Sequence, residues 1–389
     1  GDLPQNLEEI ILGMQLGPYA VACAAVLVGG AVATSRPVLD MIVARVPHAM
    51  GIMPIFVKRD ETTFDPSTLP DQTGKTAIIT GANVGVGFST AKHLGKKGMR
   101  IILACRNPSK CQSAIDSLVR EGIPRANLQA AELDLSSLGS TAAFSNKFLK
   151  DEKRLDVLVM NAGIGPLPFQ LTQDDIETVF ATNHFGHFLL WKKLAPILEG
   201  TADKHGEARV VVVSSSAHYN AKGVPLTEKE LNFPHKGLGD GISGAYGASK
   251  LANLLFAQEL AERQKSRPLY VNAAHPGLVA SNFAVESVEK TAATLSNVPV
   301  MGGVLSAGAK LVLALVRKGV MSTGWSPDDG ALTSVYLAAS PDVPKSNIRG
   351  KFYVPIAQLN ERTSAHAKDM KLQKGFWAFS EKIMADRGF

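Results

Sequence analysis

The sequence predicts an α/β fold: one domain built on a doubly wound parallel sheet, preceded by an apolar extension. Three observations predict it. Short apolar runs alternate with helical stretches of about 10 to 15 residues from Lys75 onward. A glycine-rich loop follows the first of those runs. The stretch ahead of them is different in character, with no charged residue from Ile10 to Ser35.

The elements follow in order. The strand KTAIIT leads into the loop GANVGVG and a helix from about Phe88 to Lys97. The strand RIILAC precedes a helix from about Ser109 to Glu121, NLQAAEL a helix near Ser140 to Lys150, and LDVLVM closes the half. Such alternation favours right-handed crossovers and helices on both faces. Gly81, Gly85 and Gly87 sit between the first strand and its helix. There they let backbone approach a pyrophosphate, while the helix start offers amide groups and partial positive charge. Together these features make the sheet Rossmann-type and the half a dinucleotide binder. Ligands of such sheets lie beyond the carboxyl ends of the strands. The serines of ARVVVVSSSAH end a fifth strand, so they face that region.

In GAYGASKLAN, Tyr246 and Lys250 are four apart on a helix and therefore share a face. A neighbouring cation favours the phenolate and lowers a tyrosine pKa from its usual value of roughly 10. The pair suits acid/base chemistry near neutral pH.

The spacing Gly-x-x-x-Gly-x-Gly, with NAG at 161–163 and YGASK at 246–250, resembles the short-chain dehydrogenase/reductase family. NAGIGPLPFQ, VVVVSSSAH, AYGASKLANLLF, HPG and FWAFSEKIM are similar to its retinol dehydrogenase branch and to plastid-envelope short-chain dehydrogenases. The resemblance runs from about Gly74 to the carboxy terminus. It implies a catalytic set of Asn183, Ser215, Tyr246 and Lys250. Tyr246 would exchange the proton, Ser215 would orient the substrate oxygen, and the Asn183 side chain would hold a water in line with Lys250. It also implies cofactor contacts at Gly81, Asn83, Gly85, Val86, Gly87, Asp134, Leu135, Asn161, Ala162, Gly163, Tyr246, Lys250, Pro276, Gly277 and Ser281. After the second strand, Arg106 stands where an acidic residue would bond a ribose 2′-OH, so a 2′-phosphate and NADP(H) are expected.

The chain has 389 residues, 45% hydrophobic and 20% charged, enough for a large core. A net charge of +6 is scattered rather than clustered, which argues against nucleic acid as a partner. Cys23, Cys105 and Cys111 are too few and too poorly spaced for a disulfide framework or a zinc site, as expected of a reducing compartment. His184 and His187 lack a suitably spaced third ligand, so no metal is expected.

Residues 1–35 form an apolar segment long enough, at roughly 20 residues, to cross a bilayer; a buried or membrane-surface helix is the alternative. Acids precede it, whereas Arg36, Arg45, Lys58 and Arg59 follow. That step would place the catalytic domain on the cytoplasmic, matrix or stromal side of an organellar or endoplasmic reticulum membrane. Gly1 in place of an initiator Met is expected of a chain trimmed at its start. Residues 36–73, with Pro37, Pro47, Pro54, Pro66 and Pro70, read as a linker, and 74–389 as the catalytic domain.

The expected function is NADP(H)-dependent interconversion of an alcohol and a carbonyl on a lipophilic substrate: a retinoid, apocarotenoid or long-chain aldehyde. Its pocket would lie between Ser216–Ser243 and Leu278–Trp325. An NADPH-binding accessory subunit of an organellar membrane complex is the alternative. Tetrapyrrole reduction is a third reading, disfavoured because no cysteine-rich pattern lies near the site.

Overall fold

The computed structural model describes residues 64–232, 244–281 and 324–389. The apolar segment and most of the expected linker lie outside these residues, as does most of the expected substrate pocket. Among the described residues no helix is long and apolar enough to cross a membrane.

Eight strands form one sheet: β1 Thr76–Thr80, β2 Arg100–Cys105, β3 Leu128–Glu132, β4 Val157–Met160, β5 Ala208–Val213, β6 Leu269–Ala274, β7 Phe352–Val354 and β8 Gln358–Leu359. Their order is β3-β2-β1-β4-β5-β6-β7-β8. All neighbours are parallel except β7 and β8. Every residue of β1, β4, β5 and β6 is buried, which accounts for their predominantly apolar sequences.

Side chains alternate across the sheet. Ile78, Ile102, Leu158 and Val210 point to one face, where they meet α3 (Leu138–Asp151), α4 (Gly186–His205), α5 (Ala245–Arg263) and α7 (Met370–Asp386). Ile79, Ile101, Val159 and Val211 point to the other, against α1 (Gly85–Lys96), α2 (Pro108–Arg120) and α6 (Pro327–Ala339). Proline at the first turn and a capping side chain start two of these helices. Asn107 Oδ1 accepts from Lys110 N at 2.9 Å before α2, and Ser326 Oγ from Asp329 N at 3.1 Å before α6.

The chain steps outward from β1 through β2 to β3, then returns to β4 on the other side of β1. This reversal opens a crevice at the carboxyl ends of β1 and β4. The irregular stretch ahead of β1 also belongs to the packed body. Phe64 meets Tyr336 edge-on at 5.3 Å, and Leu69 is buried in the core on the α1 face.

Candidate active site

The β1–α1 loop is shaped by close approach. Gly81 and Gly85 take φ of +66° and +62°, a region that L side chains rarely adopt. A β-carbon on Gly87 would lie 2.5 Å from both Gly81 O and Asn161 Nδ2, so the third glycine seats α1 against the NAG turn. No side chain caps α1, which leaves its first amides, around Val86, for an anionic group. Asn83 sits in the same turn.

Thr80, ahead of the loop, organises the NAG turn. Its Oγ1 accepts from Asn161 N and from Ala162 N, each at 2.9 Å, and Asn161 Nδ2 donates to Thr80 O at 2.9 Å. With two donors already on Oγ1, its proton goes to His187 Nε2, 2.9 Å away. His187 is then protonated on Nδ1, which donates to Asn183 O at 3.2 Å. Burial pushes its pKa down to about 4, so the ring is neutral. The sequence reading missed Thr80 and this role of His187; the T in TGANVGVG is the only local signal for it.

On the adenosine side, Arg106 is exposed immediately beyond β2. Asp134 Oδ1 accepts from Ser136 N at 2.9 Å and from Ser136 Oγ at 2.6 Å. Leu135 is buried, and a β-carbon on Gly186 would collide with its carbonyl. The cysteines form no framework among the described residues, but one pair, Cys105 and Cys111, is joined, with α-carbons 5.9 Å apart. Their short sequence separation is no framework spacing, but it takes the chain from the end of β2 into the first turn of α2, which folds back on the strand. Cys23 lies outside the described residues.

The chemistry-bearing residues meet beyond β4, β5 and β6. Lys250 is buried, and its Nζ donates to Val213 O at 3.2 Å, as does Asn253 Nδ2 at 3.2 Å. Ser214 Oγ donates to Lys250 O at 2.7 Å, which ties α5 to the end of β5. Desolvation lowers the Lys250 pKa from 10.5 to about 8. Nζ lies 5.7 Å from the centroid of the half-buried Tyr246 ring. Ser215, also half-buried, begins the following 3₁₀ turn, with its Oγ accepting from Ala217 N at 3.2 Å.

Asn183 lies in a π-turn, Ala181–Phe185, an irregularity frequent at functional sites. Its side chain bonds mainly to backbone. Oδ1 accepts from Ile164 N at 2.8 Å, and Nδ2 donates to Ile164 O at 3.1 Å and Ser249 Oγ at 3.0 Å. The irregular backbone after NAG needs such partners, and it has claimed this amide. Gly163 fits between Asn183 and Lys250. His184 turns away to Ser380 Oγ at 2.9 Å, so it and His187 serve separate partners.

Pro276 and Gly277 follow β6. Gly277 takes φ +80°, and a β-carbon there would come within 2.6 Å of the Trp325 ring. Val279 pairs with Trp325 in a parallel bridge, with Ala280 N to Trp325 O and Trp325 N to Leu278 O both 2.8 Å. Ser281 Oγ donates to Val279 O at 3.3 Å.

The family profile described as short chain dehydrogenase matches residues 75–225. Retinol dehydrogenase 14 of Homo sapiens is 34% identical over 323 residues, covering 80% of this chain and 86% of that protein. The chain belongs to the short-chain dehydrogenase/reductase family. Within that family it is retinol dehydrogenase-like. The chloroplastic short-chain dehydrogenase TIC 32 A of Brassica napus is 33% identical over 313 residues, 79% of this chain and 88% of that one. Among solved structures, an uncharacterised protein from Mycobacterium paratuberculosis superposes with a TM-score of 0.60 at 29% identity, over 83% of this chain and 97% of its own. As a short-chain dehydrogenase/reductase, this oxidoreductase is built for a nicotinamide cofactor, and its uncapped α1 and glycine loop fit the pyrophosphate of one.

Proposed function

We propose that the protein is an NADP(H)-dependent dehydrogenase/reductase that interconverts an alcohol and a carbonyl on a lipophilic substrate, with Tyr246 as acid and base. The observation that carries this reading is the buried ammonium of Lys250, set beside the Tyr246 ring at the end of β5.

When bound, the nicotinamide supplies or accepts the hydride. Tyr246 gives its proton to the substrate oxygen in reduction and takes it back in oxidation, and the Lys250 cation favours the phenolate in between. Ser215 donates a hydrogen bond to the same oxygen. Asn183 acts indirectly by fixing the Ile164 backbone and Ser249 around Lys250. The loop residues Gly81 to Gly87, with Asn161, Ala162 and Gly163, would hold the dinucleotide. Arg106 favours the 2′-phosphate form because its exposed guanidinium offers a fork for phosphate and no acidic residue competes there.

The substrate class rests on the apolar run NVPVMGGVLSAGAKLVLALV and on likeness to proteins named retinol dehydrogenases. The apolar amino-terminal segment would attach a catalytic domain to a membrane, with an organelle suggested by the relative named chloroplastic.

Tyr246→Phe tests the mechanism because it removes one hydroxyl and leaves the phosphate loop intact. NADPH should bind with unchanged affinity by calorimetry while reduction of all-trans-retinal stops. A variant that retains wild-type kcat sinks the proposal.

A further inference from the structure

His218 and His275 end two neighbouring strands, and the chemistry above uses neither. β5 and β6 pair with Val213 opposite Ala274, so Ser214 and Ser215 emerge beside His275. Ser214 N donates to Ala274 O at 2.8 Å. β7 lies beside both residues: the His275 backbone N donates to Tyr353 O at 2.8 Å, and the His218 ring meets Phe352 edge-on at 5.1 Å. The two side chains are 3% and 0% exposed.

His218 Nδ1 lies 2.7 Å from Ser215 O. A carbonyl only accepts, so Nδ1 carries the proton and Nε2 of the neutral ring is an acceptor. Among the described residues that Nε2 meets no donor, and neither ring nitrogen of His275 has a partner. Buried polar atoms are rarely left so, and the two needs are complementary. His218 offers a lone pair, and a neutral His275 must carry one N–H. Burial is the leading cause that holds His275 neutral, and the Lys250 cation acts in the same direction.

We propose that His275 is a positioning residue for Ser215: its ring N–H is donated across one bound water to His218 Nε2 and holds His218 in the tautomer that clamps the Ser215 carbonyl. With its backbone fixed from behind, Ser215 presents its hydroxyl to substrate in one place. The consequence for turnover rests on the catalytic reading of Ser215 given above; the hydrogen bond itself does not.

The test is histidine ¹⁵N NMR on the full chain at pH 7, with the His218 signals assigned by His218→Gln. Wild-type His218 should be neutral and protonated on Nδ1. In His275→Phe, which removes the donor at similar volume, the His218 tautomer should become mixed. kcat on all-trans-retinal should fall by about tenfold, with the NADPH Kd unchanged within about twofold. His275→Gln, which keeps an N–H, should restore most of the rate and of the His218 signal. Equal damage from Phe and Gln overturns the proposal, as does a His218 signal indifferent to His275→Phe. Should the Phe variant fail to fold, the wild-type spectrum decides: His218 protonated on Nε2, or on both nitrogens, overturns it. Ser215→Ala keeps the two readings apart. Undiminished turnover in that variant removes the catalytic role of Ser215, while the His218 response to His275 still decides the hydrogen bond.

Discussion

Gly163 and Lys250 approach so closely that a β-carbon at 163 would stand 3.2 Å from Lys250 Nζ and 3.1 Å from Asn183 Oδ1. The last residue of the NAG turn thus sets the space in which the ammonium sits. Gly163→Ala should push Lys250 aside by a few tenths of an ångström. Misplaced catalytic groups are costly, so kcat should drop on the order of tenfold, with about 1 to 3 kcal/mol of stability lost to overpacking. Steady-state kinetics beside a denaturant melt checks both; wild-type turnover would show that the ammonium tolerates displacement.

Arg106→Ala bears on cofactor choice. A charge-assisted contact to phosphate is worth roughly 1.5 to 3 kcal/mol, so NADPH affinity should fall roughly tenfold to a hundredfold while NADH affinity holds. Calorimetry with both cofactors reads this directly. Equal losses would make Arg106 a structural residue.

Among the described residues, four buried imidazoles give the protein an acid-sensitive stability. Burial is the leading cause in each case, lowering His184 and His275 to about 3 and His187 and His218 to about 4. Unfolded histidines take up protons near pH 6.5, so the unfolded state binds more protons below that value. The stabilisation is complete above pH 6.5 and is lost as pH falls toward 4 and then 3. Each histidine contributes a slope of up to roughly 1.4 kcal/mol per pH unit in that window. Urea unfolding at pH 7.0 and 5.5 should show the loss, and His184→Gln should make it shallower. Equal stability at both values would mean that the imidazoles are charged in the fold.

Truncation separates the expected attachment segment from the body. Removal of residues 1–63 should leave NADPH binding and stability intact and abolish flotation with liposomes. Removal of residues 1–73 also deletes Phe64, which meets Tyr336, and the buried Leu69. That should lower stability by about 2 to 5 kcal/mol. A shorter truncation that still floats, or that no longer folds, refutes a separable attachment.

What the sequence made legible is what local spacing encodes. Gly81, Gly85 and Gly87 are separated by the turn they form, and Tyr246 and Lys250 by one helical turn. The central strands announced themselves because burial on both faces leaves them mostly apolar, with few exceptions such as Arg209 and Asn272. The particular partners of the Asn183 side chain, Ile164 and Ser249, come from other segments of the chain, so no local pattern names them. Thr80 and His187 are 107 residues apart, and no pattern in either neighbourhood points to the other. Phe64 and Leu69 were hidden for the opposite reason. They lie in a proline-rich stretch without period, yet two apolar side chains suffice to pack it. The Cys105–Cys111 pairing was close in sequence but required knowing that α2 folds back on β2.

The bridge between Val279 and Trp325 has an evolutionary consequence. Its two hydrogen bonds fix, side by side, the points where the chain leaves after Ser281 and returns at Gly324. Whatever is inserted between those points begins and ends at the same anchored seam. The seam therefore holds the end of β6 and the start of α6 in register. Loop-closure entropy grows only slowly with length, so the thermodynamic penalty for a longer or shorter insertion is small. Transplanting residues 282–323 from a relative should therefore leave the Val279–Trp325 seam and cofactor binding intact.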